Sequence, residues 1–381
     1  MRRAKFLPFM VRTNGCADKG GDGGCECGFP YLVAVFEFGV TPELVMLQSM
    51  PDFLILGAPK AGTTSLYHYL SQHPQIFMSP NKEPHFFAFE GAMPTFQGPG
   101  DEQAWLNMLS VVALEAYQQL FEGAKPGQKR GEASTMYLYL EESCDRIHYY
   151  LPQVKLIAFL RNPVDRAYSH FKHMRRDGRE WEKDFRTALA REPERISQGW
   201  APAWHYTQVG LYHNQLQRYL EKFSSEQVRI YLYDDLLKSP ETIYRDLFDF
   251  IGVDADWTVD TSKRYNTTSV ARKNKVLHDF LMKPNALKTA LRQIIPAHIR
   301  KPLSAKMYRK NATAIQPLSM THRLELIQRF EPEILRLQEL LGRDLSDWIK
   351  TEDRCENTGK PNSMARAEMG KLEENDSVKA A

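Results

Sequence analysis

The sequence predicts an α/β fold: a central, largely parallel sheet flanked by helices. Three observations carry that expectation. Short continuous apolar runs recur at residues 53–56, 155–160 and 228–233, the pattern of strands covered on both faces. Amphipathic stretches with helical spacing separate them, and alternation of strand and helix is the signature of parallel pairing. The first run leads through Gly57, Pro59 and Gly62 into Thr63, Thr64 and Ser65, where a helix with Leu66, Tyr69 and Leu70 on one face begins. That junction makes the core P-loop-like and suited to a nucleotide, because free backbone N–H groups and the helix dipole favour an anion there.

In chain order, residues 1–48 hold no clear period and are glycine-rich at 20–28, so they are expected to form a disordered extension. The main domain is expected at residues 50–350, and the polar stretch 351–381 to be a disordered tail. After the first helix, stopped by His73 and Pro74, residues 75–79 read as a second strand. A loop at 81–89 is rich in titratable and aromatic groups, and 104–121 reads as a helix. A strand is expected from Arg130, a helix over 141–150 and a strand over 155–160 ending at Arg161, Asn162 and Pro163. The helix after Pro163 carries Val164, Tyr168 and Phe171 on one face. A charged helix over 181–196 broken at Pro193, an amphipathic helix over 212–223 and a strand over 228–233 follow. A helix capped by Ser239 and Pro240, a basic loop with Arg264, Arg272, Lys273 and Lys275, and a helix over 321–341 interrupted at Pro332 complete the domain.

Composition narrows the classes of function. A formal net charge of +3 over 381 residues gives no reason to expect nucleic acid. The five cysteines are odd in number and unpaired in spacing, which speaks against a disulfide framework. Cys16, Cys25 and Cys27 lack a fourth ligand at suitable spacing, so no metal is expected. The longest apolar patch, 29–40, contains Glu37 and Gly39 and is too short to cross a bilayer. Arg2, Arg3 and Lys5 precede only a brief apolar stretch, so no leader is expected and the default location is cytoplasmic.

The phosphate-type loop has one departure from the Walker pattern. Thr63, not lysine, follows Gly62, and the loop's cation is Lys60. A Walker enzyme also needs a magnesium carboxylate at the end of a second buried strand, whereas residues 155–160 run into Arg161. A cation in that place points to direct clamping of an anion by protein charge, with no metal.

With both motifs in view, residues 57–66 resemble the 5′-phosphosulfate loop of sulfotransferases that use 3′-phosphoadenosine 5′-phosphosulfate (PAPS), and residues 160–169 resemble their 3′-phosphate motif. Lys82, Glu83, Pro84, His85, Phe86 and Phe87 resemble a segment of the heparan-sulfate-type branch and its soluble bacterial relatives. Residues 210–212, 233–236 and 340–345 add to a resemblance that covers about 50–350. It implies transfer of a sulfuryl group from PAPS to a hydroxyl or amine, with a glycan or lipid-linked acceptor among the candidates. Lys60, with Ala61, Gly62, Thr63, Thr64 and Ser65, would hold the 5′-phosphosulfate, and Arg161 with Ser169 the 3′-phosphate. Arg272 and Lys273 would cover the cofactor from a late basic loop. Glu83 would be the general base, with His85 its competitor because an imidazole titrates near neutrality.

Each assignment has a plainer counterpart. Arg161 in a surface ion pair, Glu83 in a solvated pair with Lys82 and Arg272 with Lys273 as a solvated charge run would all be ordinary. Trp181, Trp200, Trp204, Tyr206 and Tyr212 could stack on a sugar or fill the core. Ala133 departs from the family's Gly-Glu-Lys-Ser segment, so one active-site cation is missing or supplied by Lys82 or another residue. No membrane anchor or cofactor-side disulfide of the animal Golgi members is visible, which favours the soluble bacterial type. The alternatives are a P-loop kinase or NTPase, or a non-catalytic member that only binds the nucleotide.

Overall fold

Among the residues described by the computed structural model (49–101, 110–262, 270–282, 307 and 310–350), five strands form one parallel sheet in the order β2-β3-β1-β4-β5. They are β1 (Phe53–Gly57), β2 (Ile76–Met78), β3 (Lys129–Ala133), β4 (Lys155–Leu160) and β5 (Val228–Leu232). Phe53 aligns with Gly131 on one side and Lys155 on the other. Every residue of β1 is buried, which is why its sequence is an unbroken apolar run rather than an alternating one.

Helices cover the sheet: α1 (Thr63–Leu70), α2 (Leu114–Gln119), α3 (Glu141–Tyr150), α4 (Pro163–Arg176), α5 (Phe185–Ala190), α6 (Glu192–Ser197), α7 (Tyr212–Leu220), α8 (Tyr233–Lys238) and α9 (Pro240–Ile251). Beyond them lie β6 (Val270–Arg272), α10 (Lys275–Met282), β7 (Ala312–Ala314) and α11 (Met320–Leu341), with β6 and β7 paired antiparallel. The start of α4 is fixed by Asn162, whose Oδ1 accepts from Val164 N–H at 3.0 Å, and by Pro163 at the first helical position. No helix among the described residues is long and apolar enough to cross a membrane.

Three expected helices differ. Over 104–121 the described helix is only α2, because 110–113 pair with the preceding loop: Val111 N–H donates to Pro84 O at 2.8 Å and Gly91 N–H to Val112 O at 2.9 Å. Over 181–196 there are two short helices: Asp184 caps α5, and Pro193 sits in the first turn of α6, where a missing N–H costs nothing. Conversely α11 runs through Pro332 for 22 residues, since burial of Phe330, Glu333, Ile334 and Leu337 outweighs the roughly 3 kcal/mol a mid-helix proline costs. The expected extension 1–48, the tail 351–381, residues 104–109, Arg264 and all cysteines except the buried, free Cys144 lie outside the described residues.

Candidate active site

In this strand order the chain leaves β1 toward β3 and β2, and leaves β4 toward β5. The crevice at the carboxyl ends of β1 and β4 is therefore the topological switch point, where open parallel sheets bind ligands. Lys60 follows β1 and Arg161 follows β4, and the two meet there: an Arg161 Nη donates to Lys60 O at 3.1 Å. The Arg161 guanidinium also lies 4.9 Å from the centre of the Tyr233 ring. It forms no ion pair with a described residue.

The loop holds its shape through positions that demand special residues. Gly62 has φ +89°, and a Cβ there would stand 2.9 Å from the Tyr233 ring. Gly57 has φ +146°, and a Cβ there would meet Thr135 O at 2.7 Å. Among the described residues the non-glycines with positive φ are Lys60, Glu83 and His85, at 71°, 64° and 55°. These are the three catalytic candidates of the sequence, and such strain persists where surrounding structure over-determines it. Thr63, Thr64 and Ser65 form the first turn of α1, so their amides have no intrahelical acceptor and face the crevice end of the helix. Ala61 is buried beneath the loop. Ser169 lies two turns into α4, half-buried, with no hydrogen bond to a described residue.

Lys60 Nζ lies 3.0 Å from His173 Nδ1, and His173 Nε2 lies 2.9 Å from Asp177 Oδ2. One tautomer satisfies both contacts: Nε2–H donates to Asp177 and Nδ1 accepts from Lys60. Burial, then the charge of Arg176 and more weakly that of Arg161, pull the Lys60 ammonium down to about 7, against the opposing pull of Asp177 and Glu83. Burial likewise lowers His173, which keeps it a neutral acceptor.

Glu83 and His85 sit on a turn tied to β3 by Glu83 N–H donating to Ala133 O at 3.0 Å. Glu83 pairs with Lys82 at 2.6 Å and approaches His85 Nε2 at 3.4 Å. Burial would raise its carboxyl, but Lys82 and His85 together hold it well below the usual carboxylate range. Phe86 and Phe87 are both buried in the core, in a short helix, Phe86–Phe89, where a loop was expected. The Glu83 side chain is 25% exposed and that of His85 is 1% exposed.

Arg272 and Lys273 are not brought together. Arg272 is buried and donates from Nε to Arg176 O, at the end of α4, at 2.9 Å. Lys273 is exposed, and its backbone N–H donates to Asn311 O. Trp204, Tyr206 and Tyr212 are core residues, which removes them as sugar platforms.

The family model described as Sulfotransferase domain matches residues 50–286. The chain belongs to the sulfotransferase family. It is 28% identical over 249 residues to carbohydrate sulfotransferase 15 of Mus musculus, covering 54% of this chain and 44% of that protein. It is 27% identical over 218 residues to heparan sulfate glucosamine 3-O-sulfotransferase 6 of Homo sapiens, covering 54% and 53%. The chain spans about half the length of these curated relatives. A crystal structure of a sulfotransferase from Alicyclobacillus acidocaldarius superimposes with a TM-score of 0.62 at 35% identity, covering 79% of this chain and 99% of that one.

Family membership displaces the kinase and NTPase alternative. What sequence reasoning missed in this sulfotransferase are His173, Asp177 and Arg176, which surround Lys60. One signal was present: His173 and Asp177 follow Ser169 at successive intervals of four residues, the spacing of one helix face.

Proposed function

We propose that this sulfotransferase takes PAPS as donor and moves its sulfuryl group to a hydroxyl of a carbohydrate acceptor. The observation that carries the reading is the meeting of Lys60 and Arg161 at the switch point, where α1 begins. These groups fit a doubly phosphorylated nucleotide. The α1 amides and Lys60 suit the 5′ end, and Arg161 with the Ser169 hydroxyl suits the 3′-phosphate. Arg161 stands where a metal-binding carboxylate would be needed, which supports transfer without a metal.

PAPS supplies the activated sulfuryl group; the protein supplies charge and a base. Glu83 accepts the acceptor's hydroxyl proton as the new O–S bond forms and the bond to the 5′-phosphate breaks. Its partial exposure and ionised state favour it over His85, whose ring is sealed from solvent. Lys60 meets the negative charge that builds on the leaving phosphate. The likeness to relatives named for carbohydrate and heparan sulfate substrates supports the acceptor class.

The test is sulfur-labelled PAPS incubated with desulfated glycosaminoglycans, simple glycosides, phenols and amines, with excess chelator present. Transfer to a carbohydrate, abolished by Lys60→Ala, is expected. Transfer confined to phenols or amines, or activity only on addition of magnesium, would refute the reading.

A further inference from the structure

Behind Glu83 and His85 lies a second carboxylate, on β3, that the transfer chemistry does not use. Glu132 is fully buried and forms no ion pair with a described residue. Instead three hydroxyls converge on it. Tyr117 and Tyr137 donate to one carboxyl oxygen at 2.8 and 3.1 Å, and Ser134 donates to the other. Once ionised, above about pH 7, this carboxylate can only accept, and it then fixes which way each hydroxyl hydrogen points.

That polarity is used. With its hydrogen committed to Glu132, Ser134 Oγ presents lone pairs to the backbone N–H of His85, at 2.9 Å. Tyr137 does the same for the N–H of Phe87, at 3.3 Å. The first amide lies in the turn in which Glu83 and His85 are held at positive φ, and the second in the short helix that continues it. Tyr117 touches the same carboxylate but bonds no backbone group of that turn.

We propose that Glu132 is a positioning residue for sulfuryl transfer: through Ser134 and Tyr137 it fixes the strained turn that presents Glu83 to the acceptor. This rests on the reading of Glu83 as base. Burial pushes the Glu132 carboxyl up to about 7, against the hydroxyl bonds that favour its charged form, and the nearby charge of Glu83 adds to the rise. A buried carboxylate without a cation is costly to keep, and retention next to a strained turn fits a positional role.

The test uses Glu132→Gln, which keeps volume but supplies an amide where two acceptor oxygens were, and Ser134→Ala as a second variant should the first fold poorly. Each is expected to lower kcat about tenfold to a hundredfold, the scale of a small misplacement of a reacting group, with affinity for adenosine 3′,5′-bisphosphate unchanged. Tyr117→Phe, although it touches Glu132 more closely than Tyr137 does, is expected to leave kcat unchanged. In a Glu83→Gln background, Glu132→Gln should cause no further loss. Equal loss in Tyr117→Phe, or full additivity with Glu83→Gln, would show a merely structural carboxylate and overturn the proposal. Imidazole NMR of His85 provides a readout that needs no acceptor. Its resonances should move in Glu132→Gln and Ser134→Ala but not in Tyr117→Phe, and unmoved resonances sink the proposal. A parent protein that transfers no sulfuryl group, yet shows the His85 shifts, would refute the function and leave the positioning intact.

Discussion

Lys60 gives the sharpest quantitative consequence. In the free protein it titrates at about 7, against 10.5 for an unperturbed lysine, because it is buried beside Arg176 and Arg161. A phosphate at the loop supplies the opposite charge and draws the proton back. If the bound ammonium returns fully to 10.5, the gap is worth about 5 kcal/mol at 1.36 kcal/mol per pH unit. Binding of adenosine 3′,5′-bisphosphate should therefore take up close to one proton at pH 8. Affinity should fall roughly 25-fold between pH 6.5 and 8.5, approaching tenfold per unit above 7. Calorimetry in two buffers of different ionisation enthalpy counts the proton directly, and above pH 7 both phosphates of the ligand are already ionised. Lys60→Met should bind weakly and lose the proton uptake. A binding enthalpy independent of buffer, with a flat affinity across this range, would refute the claim that Lys60 sheds its proton in the empty site.

The same lysine makes a stability prediction. Between about 7 and 10.5 the unfolded chain holds the Lys60 proton that the folded one releases, so this residue makes stability rise with pH across that window. Lys60→Met should accordingly melt higher than the parent at pH 6, with the difference closing toward pH 10, as read by thermal denaturation. Arg161→Ala should weaken adenosine 3′,5′-bisphosphate by about tenfold to a hundredfold, the range of a lost charge-assisted hydrogen bond, in a calorimetric titration. Glu83→Gln should lower kcat by roughly 10²–10⁴ while leaving that affinity unchanged, and equal turnover would move the base elsewhere. Gly62→Ala should lower the melting temperature and the nucleotide affinity together, since φ +89° and a ring atom at 2.9 Å leave no room for a methyl group.

The sheet was legible because its central strands are buried on both faces, so β1 and β4 stand out as apolar runs with bounds the structure nearly reproduces. The order of strands was not, because crossovers through helices leave no local trace of which strand lies beside which. Lys60, Arg161 and Glu83 were legible because each belongs to a contiguous motif dictated by local backbone geometry. His173 was not, because its contact with Lys60 spans 113 residues of sequence. Arg272 and Lys273 were read as one basic loop. Placing Arg272 at the end of β6 separates them, since successive side chains of extended backbone point to opposite sides and only Arg272 turns under α4. The proline errors at 193 and 332 have a common source: a proline's effect depends on whether its missing N–H falls in a first helical turn and on what the rest of the helix buries.

Charge and strain in this site explain one another. A loop that gathers Lys60, Arg161 and Arg176 before any anion arrives would repel itself, and no carboxylate can be placed at the loop's centre without opposing the ligand. The structure meets this in two ways. Lys60 releases its proton, and the neutral His173, with its tautomer locked by Asp177, accepts a hydrogen bond from the amine and keeps it aimed at the loop. Asp177 lies one residue beyond Arg176, which it pairs with at 2.8 Å, so the compensating charge stays on the far side of the imidazole from Lys60. The empty site therefore carries less positive charge than its side chains would have if all were ionised. Proton uptake on anion binding would complete its positive charge and so couple electrostatic stabilisation to the presence of the group that needs it. Restoring the proton by other means should be harmful rather than helpful. An Arg176→Ala change, by removing the strongest neighbouring cation, should raise the Lys60 pKa. It should flatten the pH dependence of nucleotide binding near neutrality, read by calorimetric titration between pH 6.5 and 8.5, and an unchanged pH slope would refute the coupling.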